Sequence, residues 1–231
     1  MGNISESYFR NGRPEMLPFL PSRYSKVLEV GCGAGTFRAL LGGDIEYWGV
    51  DTSESAERAF EHKADKFYRG ALEDVAQKLP GKYFDLVVIN DVLEHSADHL
   101  TFLKILKDKL SSEGYLVGSV PNVRYVLNLK ELLLRKDWYY QESGGILDYS
   151  HLRFFTERSL RKLLEKTGFQ IEACRGINPV WWSMYSLRML VKRLFYGSVA
   201  MILGDDVPYL QFAFRCKNLQ VNRENHDQKS N

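Results

Sequence analysis

Two of the five histidines in this 231-residue chain stand where a side chain could take a proton. Imidazole titrates near neutral pH, with an ordinary pKa of about 6.5, which suits a base acting on a weakly acidic hydroxyl. His95 ends the run Asp91-Val92-Leu93-Glu94-His95, and His151 sits in Asp148-Tyr149-Ser150-His151-Leu152-Arg153-Phe154-Phe155-Thr156. His62 falls on a charged helix, His99 on a charged stretch and His226 in a polar tail, so these read as surface positions. If 91–95 make one helical turn, Asp91, Glu94 and His95 share a face. That spacing could ligate a divalent metal. The plainer readings, a catalytic or a structural His95, are preferred, and no metal ion is expected. Arg153 follows His151 in an extended segment, so the two side chains should point the same way. Its guanidinium is a natural fork for phosphate or carboxylate, although pairing with Asp148 or Glu157 would be a plain structural alternative. Of the two histidines, His151 is preferred as base, because its extended neighbours have no other structural explanation. Trp138 and Tyr139 could stack on a substrate face or close a pocket, or else form local core.

A second chemical signal is the turn Glu29-Val30-Gly31-Cys32-Gly33-Ala34-Gly35, which follows an apolar run and opens a helix. Glycines there let the backbone turn tightly and approach a ligand. A phosphate-binding loop needs Gly-Lys-Ser/Thr, whereas Gly35 is followed by Thr36-Phe37-Arg38. A dinucleotide fingerprint needs a third glycine where Thr36 stands. Glu29 beside the loop would repel a pyrophosphate and suits a ligand carrying an ammonium group. Asp51 ends the next apolar run, 16 residues beyond Gly35. An acid in that place can bond ribose hydroxyls, while Thr52 or Ser53 could cap the following helix.

These residues need a scaffold, and the rest of the chain describes one. Strands are expected at 26–30, 45–50, 66–69, 83–89 and 115–120, with helices from 36, 54, 73 and 98 between them. Leu100, Leu103, Leu106 and Leu110 form a helical stripe at three- and four-residue spacing. The alternation and the continuous apolar strands predict an α/β fold: a doubly wound, mostly parallel sheet covered on both faces. After 121 the rhythm changes. Residues 122–150 read as a helical lid insertion, Thr156 caps a helix that stops at Gly168, and strands follow at 169–175 and 209–216. Residues 181–203 read as a basic, apolar helix. It could touch an anionic membrane surface, or pack in a core or homodimer interface, the latter reading standing ahead. One domain over 1–218 and a disordered tail over 219–231 are expected.

Composition narrows the function classes. Thirty-one basic and 29 acidic residues leave a formal charge of +2, which is no footprint of a nucleic-acid binder. No apolar stretch approaches the roughly 18 residues of a membrane span, and the first residues carry no signal-peptide core. Cys32, Cys174 and Cys216 are far apart and odd in number, as expected of reduced thiols in a cytoplasmic protein.

Taken in order, Val27 to Gly35, Asp51, Gly70-Ala71-Leu72-Glu73-Asp74 and Phe84 to His95 resemble the class I S-adenosylmethionine-dependent methyltransferases. The resemblance covers most of 8–175. It implies a seven-stranded, Rossmann-like sheet with an antiparallel last strand, and S-adenosylmethionine as cofactor with S-adenosylhomocysteine as product. It implies that Glu29, Gly31, Cys32, Gly33 and Gly35 border the methionine part, with Asn90 at the same end. Asp51 and Thr52 then border the ribose, and Leu72 and Glu73 the adenine edge. Ala71 stands where the family often has Asp, so a side-chain contact to the adenine amino group is lost. Tyr8-Phe9 and Arg13-Pro14 resemble a segment that folds over the cofactor. The 91–95 run is similar to ubiquinone-pathway O-methyltransferases, which carry Glu at its first position. His-Leu-Arg-Phe-Phe-Thr resembles a subgroup acting in bacterial cell-surface glycan and secondary-metabolite pathways. The leading expectation is therefore an O-methyltransferase acting on a sugar hydroxyl of glycan biosynthesis. A phenol, quinone precursor or amine is the alternative acceptor, and a non-catalytic partner subunit the alternative of another class.

Overall fold

The structure, a computed structural model, describes residues 12–60, 64–142, 144–180 and 188–219. Seven strands form one sheet in the order β3-β2-β1-β4-β5-β7-β6. They are β1 (Lys26–Val30), β2 (Glu46–Asp51), β3 (Lys66–Arg69), β4 (Phe84–Asn90), β5 (Leu110–Pro121), β6 (Phe169–Pro179) and β7 (Tyr209–Asn218). β1 to β5 pair in parallel, and β7 runs antiparallel to both β5 and β6.

The continuous apolar strands are explained by two cores, one on each face. Alternate side chains of a strand point to opposite faces. Leu28, Val30, Trp48, Val50, Val87 and Ile89 enter one core, where Leu103 and Leu106 of α3 (His99–Lys109) and Leu160 and Leu164 of α5 (Glu157–Lys166) meet them. Val27, Tyr47, Leu86 and Val88 enter the other, with Met16 and Phe19 of the 3-10 turn Pro14–Phe19 and Phe37 of the 3-10 turn Phe37–Leu40. The helix expected from 36 is thus a single 3-10 turn. Leu41 leaves it in extended conformation and Gly43 follows at φ 84°, which stops the helix from growing.

The other helices fall close to expectation. α1 is Glu54–Phe60 and α2 is Leu72–Val75. The Asp98 side chain accepts from Thr101 N to cap α3, and Thr156 and Ser159 form a reciprocal capping box on α5. Residues 122–150 hold α4 (Val126–Lys130), a π-helical turn Glu131–Arg135 and a loop whose Leu133, Leu134 and Tyr139 are exposed. Of the predicted 181–203 helix, α6 spans Arg188–Leu203, and residues 181–187 lie outside the described residues. Tyr196, Val199 and Ala200 of α6 pack on Val126, Val180 and Val207, while Phe195, Met201 and Ile202 face solvent. Among the described residues, no helix is long and apolar enough to cross a membrane. The predicted tail lies outside the described residues from 220 onward.

Candidate active site

In a doubly wound sheet the strand order reverses between β1 and β4, and ligands bind outside the carboxyl ends of the strands there. A cavity of about 680 Å³ opens at that place. Its first wall is backbone. Gly31, Gly33 and Gly35 take positive φ (72°, 50° and 65°), the left-handed region that other residues enter at a cost. Gly31 N donates to Val50 O (2.8 Å), and Gly35 N closes the turn on Cys32 O (2.8 Å). Gly33 N donates to Asp51 Oδ2 (2.8 Å), and Ser53 N to Asp51 Oδ1 (2.8 Å). Asp51 is therefore fixed from both sides by main-chain donors at the end of β2, its remaining lone pairs free of these bonds. Glu29, Gly31, Cys32, Gly33, Asp51, Thr52, Leu72, Glu73 and Asn90 all line the cavity; Gly35 stands behind the wall.

Two groups on this wall are electrostatically unusual. Glu29 is buried and accepts a hydrogen bond from the Tyr47 hydroxyl. Burial, then the nearby Asp51, pushes its carboxyl well above the ordinary range, against an opposing pull from Arg13. Asn90 ends β4 with both Nδ2 and Oδ1 buried, and neither has a hydrogen-bond partner among the described residues. A buried amide with no partner is costly, so it marks a place where a ligand supplies the missing bonds.

The opposite wall is a side-chain network. Arg13 donates to Asp91 Oδ2 (2.6 Å), Glu15 Oε1 (2.6 Å) and Ser119 Oγ (3.1 Å). Gln211 Nε2 donates to Asp91 Oδ2 (2.6 Å), and Asn178 Nδ2 to Gln211 Oε1 (2.8 Å). Burial works against the Arg13 charge, but Asp91 and Glu15 more than offset it and hold the guanidinium ionised. Arg13, Asp91 and Asn178 all sit at positive φ (58°, 53° and 53°). Three non-glycine residues strained within one network are what a site held in a set shape requires. Arg13 was expected from the sequence. Glu15, Ser119, Asn178 and Gln211 were not, because no local spacing links positions so far apart. Tyr8 lies outside the described residues.

The histidines meet at the edge of this cavity. The 91–95 run is not one helical turn. Asp91 is left-handed and turns to Arg13, and only Leu93–His95 form a 3-10 turn. Asp91, Glu94 and His95 therefore do not share a face. Instead His151 joins Glu94 and His95: the two imidazoles lie edge to face with centroids 4.8 Å apart, and His151 Nε2 stands 4.0 Å from Glu94 Oε1. His95 lines the cavity and His151 does not. The charged form of His95 is disfavoured, first by the packing on its inner side and then by His151, so its pKa lies below the ordinary value. Arg153 does not point with His151. It is exposed, and its guanidinium donates to Leu152 O (2.9 Å) and Ala97 O (2.6 Å), pairing with neither Asp148 nor Glu157. The segment is not a strand here, so the alternation expected of extended chain does not apply. Trp138 packs edge-on against Phe154 and Tyr139 is exposed, and neither lines the cavity.

A family described as a methyltransferase domain matches residues 5–173. The chain belongs to that methyltransferase family. A ubiquinone biosynthesis O-methyltransferase from Cereibacter sphaeroides is 30% identical over 176 residues, covering 71% of this chain and 68% of the relative. A SAM-dependent methyltransferase from Archaeoglobus fulgidus shares the fold, with TM-score 0.66, 20% identity and coverage of 92% of this chain and 94% of that one. The Burkholderia thailandensis 1,6-didemethyltoxoflavin-N1-methyltransferase, solved with S-adenosylhomocysteine, has TM-score 0.58 and 15% identity, with coverage of 94% of this chain and 80% of that one. This methyltransferase depends on S-adenosylmethionine. Its cavity fits that cofactor: a glycine turn open to close approach, a fixed carboxylate at the end of β2, and the unpartnered Asn90 amide at the end of β4.

Proposed function

We propose that this methyltransferase acts on the hydroxyl of a small acceptor, with a phenol or quinone precursor as the favoured class. The observation that carries the reading is His95, an imidazole biased toward its neutral form on the wall of the cavity that Gly31, Asp51 and Asn90 line. The cofactor supplies a methyl group already activated for displacement. What remains for the chain is to orient the acceptor and take its proton. In this reading His95, with Glu94 and His151 beside it, takes the second task. A cavity of about 680 Å³ that must hold the cofactor as well favours a compact acceptor. Phe37, Leu72, Val92, Phe102 and Leu210 give it apolar surface suited to an aromatic ring.

The name of the Cereibacter sphaeroides relative supports oxygen as the methylated atom and a quinone-type acceptor ahead of a sugar. The sugar reading came from the likeness of His151 to Thr156 to a glycan-pathway subgroup, and Trp138 and Tyr139, the aromatic surfaces that could have stacked on a sugar, are absent from the cavity lining. Labelled S-adenosylmethionine offered with catechols and phenols, with amines and with sugar nucleotides is the direct test. Transfer to an aromatic hydroxyl is expected. Transfer confined to sugars or amines overturns the acceptor class, and cofactor binding without transfer to any of them favours a non-catalytic partner.

A further inference from the structure

We propose that Glu94, His95 and His151 bind one divalent transition-metal ion of the zinc type at the edge of the cavity. One nitrogen or oxygen from each of the three residues lies within 4.8 Å of the others. A tetrahedral ion with bonds of about 2.0–2.1 Å holds its ligand atoms about 3.4 Å apart. Closing this cluster on an ion therefore needs side-chain shifts of roughly 1 Å, with no change of fold.

Three further features point the same way. First, both imidazoles are held by carbonyls at their Nδ1 atoms. His95 Nδ1 contacts Ser150 O (3.1 Å) and His151 Nδ1 contacts Ile146 O (2.9 Å). A carbonyl can only accept, so each Nδ1 carries the proton and each Nε2 keeps a free lone pair, the second-sphere arrangement of metal-binding histidines. Second, Glu94 is completely buried, and among the described residues neither of its carboxylate oxygens has a hydrogen-bond partner. An unpartnered buried carboxyl is expensive, and Arg13, whose charge acts on it, is already paired with Asp91 and Glu15. A bound cation would satisfy it. Third, the two ligand-bearing segments are clamped together. Leu152 N and Arg153 N both donate to Glu94 O (2.8 and 3.0 Å), and the Arg153 guanidinium holds Ala97 O. The ligands are thus gathered before any ion arrives.

Two imidazoles and one carboxylate suit zinc or a similar transition ion, whereas magnesium prefers oxygen donors. This set differs from the triplet that spacing suggests, since Asp91 is engaged elsewhere and His151 enters from a distant segment. It also replaces the expectation that no metal is needed. The proposal rests on the reading that the acceptor hydroxyl approaches His95. With an ion bound, the His95 Nε2 lone pair goes to the metal. The hydroxyl oxygen binds the ion and becomes more acidic, and its proton leaves to solvent in place of transfer to the imidazole.

The test uses untagged protein, stripped with chelator and titrated with Zn²⁺ by calorimetry, with Co²⁺ absorption as a second readout. S-adenosylhomocysteine binding and thermal melting are followed on the same samples. One saturable equivalent of Zn²⁺ is expected, weakened about tenfold or more by Glu94→Gln and by His151→Gln and changed less than about threefold by Asp91→Asn. Absent or unsaturable binding by the unaltered protein overturns the site. So does binding that His151→Gln leaves intact, or that Asp91→Asn removes as fully. If one ligand variant fails to melt cooperatively, the other and the unaltered protein still decide. S-adenosylhomocysteine binding without zinc binding sinks the metal site and leaves the methyl-transfer reading standing; zinc binding without S-adenosylhomocysteine binding does the reverse.

Discussion

From Gly31 to Glu73 the cavity wall works mainly through backbone, whereas from Arg13 to Gln211 it works through side chains brought from far apart. On the first side, three glycines at positive φ and a β-strand end set the shape, and one carboxylate is fixed by two main-chain N–H groups. It comes from β1, β2 and β3 and the segments that directly follow them. On the second side, Arg13, Asp91, Ser119, Asn178 and Gln211 form one hydrogen-bonded net, and His151 crosses to Glu94 and His95. A wall made of local backbone can serve any enzyme with the same cofactor. A wall made of distant side chains can be changed one residue at a time, and this is where acceptor choice would reside.

The comparison is sharpest if the two walls can be damaged separately. The largest effect is expected at His95. His95→Ala should lower turnover by about 10²–10⁴-fold with the true acceptor while S-adenosylhomocysteine affinity, read by calorimetry, stays within about threefold. Near-full turnover would mean that orientation alone carries the reaction. Gly33→Val attacks the other wall. A β-branched residue at φ 50° is strained by about 1–2 kcal/mol, little beside the roughly 5–15 kcal/mol stability of a typical domain. The chain should still melt cooperatively but bind S-adenosylhomocysteine at least about 100-fold more weakly, through loss of close approach and of the Gly33–Asp51 bond. Normal binding would show that the turn does not approach the ligand. Asp51→Ala should be milder, weakening binding by about 1–3 kcal/mol, or roughly 5- to 150-fold, as ribose hydroxyls lose their acceptor.

The same contrast explains what could be read in advance. The sheet and the glycine wall were legible because each signal is local: strand 26–30 ends in its own turn, Asp51 ends the next strand, and apolar runs mark strands buried on both faces. Two early elements differ: the helix expected from 36 is only a 3-10 turn, and β5 begins at Leu110, which the helical stripe had claimed, rather than at 115. The side-chain wall was only partly legible. Arg13 and His95 belong to recognisable runs, but nothing near Asn178 or Gln211 announces that they meet Asp91. The shared face of Asp91, Glu94 and His95 was conditional on one helical turn over 91–95, and a left-handed Asp91 breaks that turn. His151 was singled out, yet as a base facing the acceptor; the fold sets it behind His95, against Glu94.

Arg153 gives the smallest and most discriminating effect. Its motif position made it a candidate for gripping an acidic acceptor, and on that reading its loss should raise the acceptor's KM strongly. The structure gives the guanidinium other work: it is exposed and tied to the carbonyls of Leu152 and Ala97, outside the cavity wall. Hydrogen bonds from a charged donor to a carbonyl are worth about 1.5–3 kcal/mol at most, and less where water competes. Arg153→Ala should therefore lower stability by about 1 kcal/mol, seen as a modest shift in melting temperature, and change acceptor KM by less than about threefold. The main-chain bonds from Leu152 N and Arg153 N to Glu94 O survive this substitution, so the His151 segment should stay docked. A tenfold rise in KM with unchanged stability would return Arg153 to the acceptor wall and show that the segment moves when the acceptor binds.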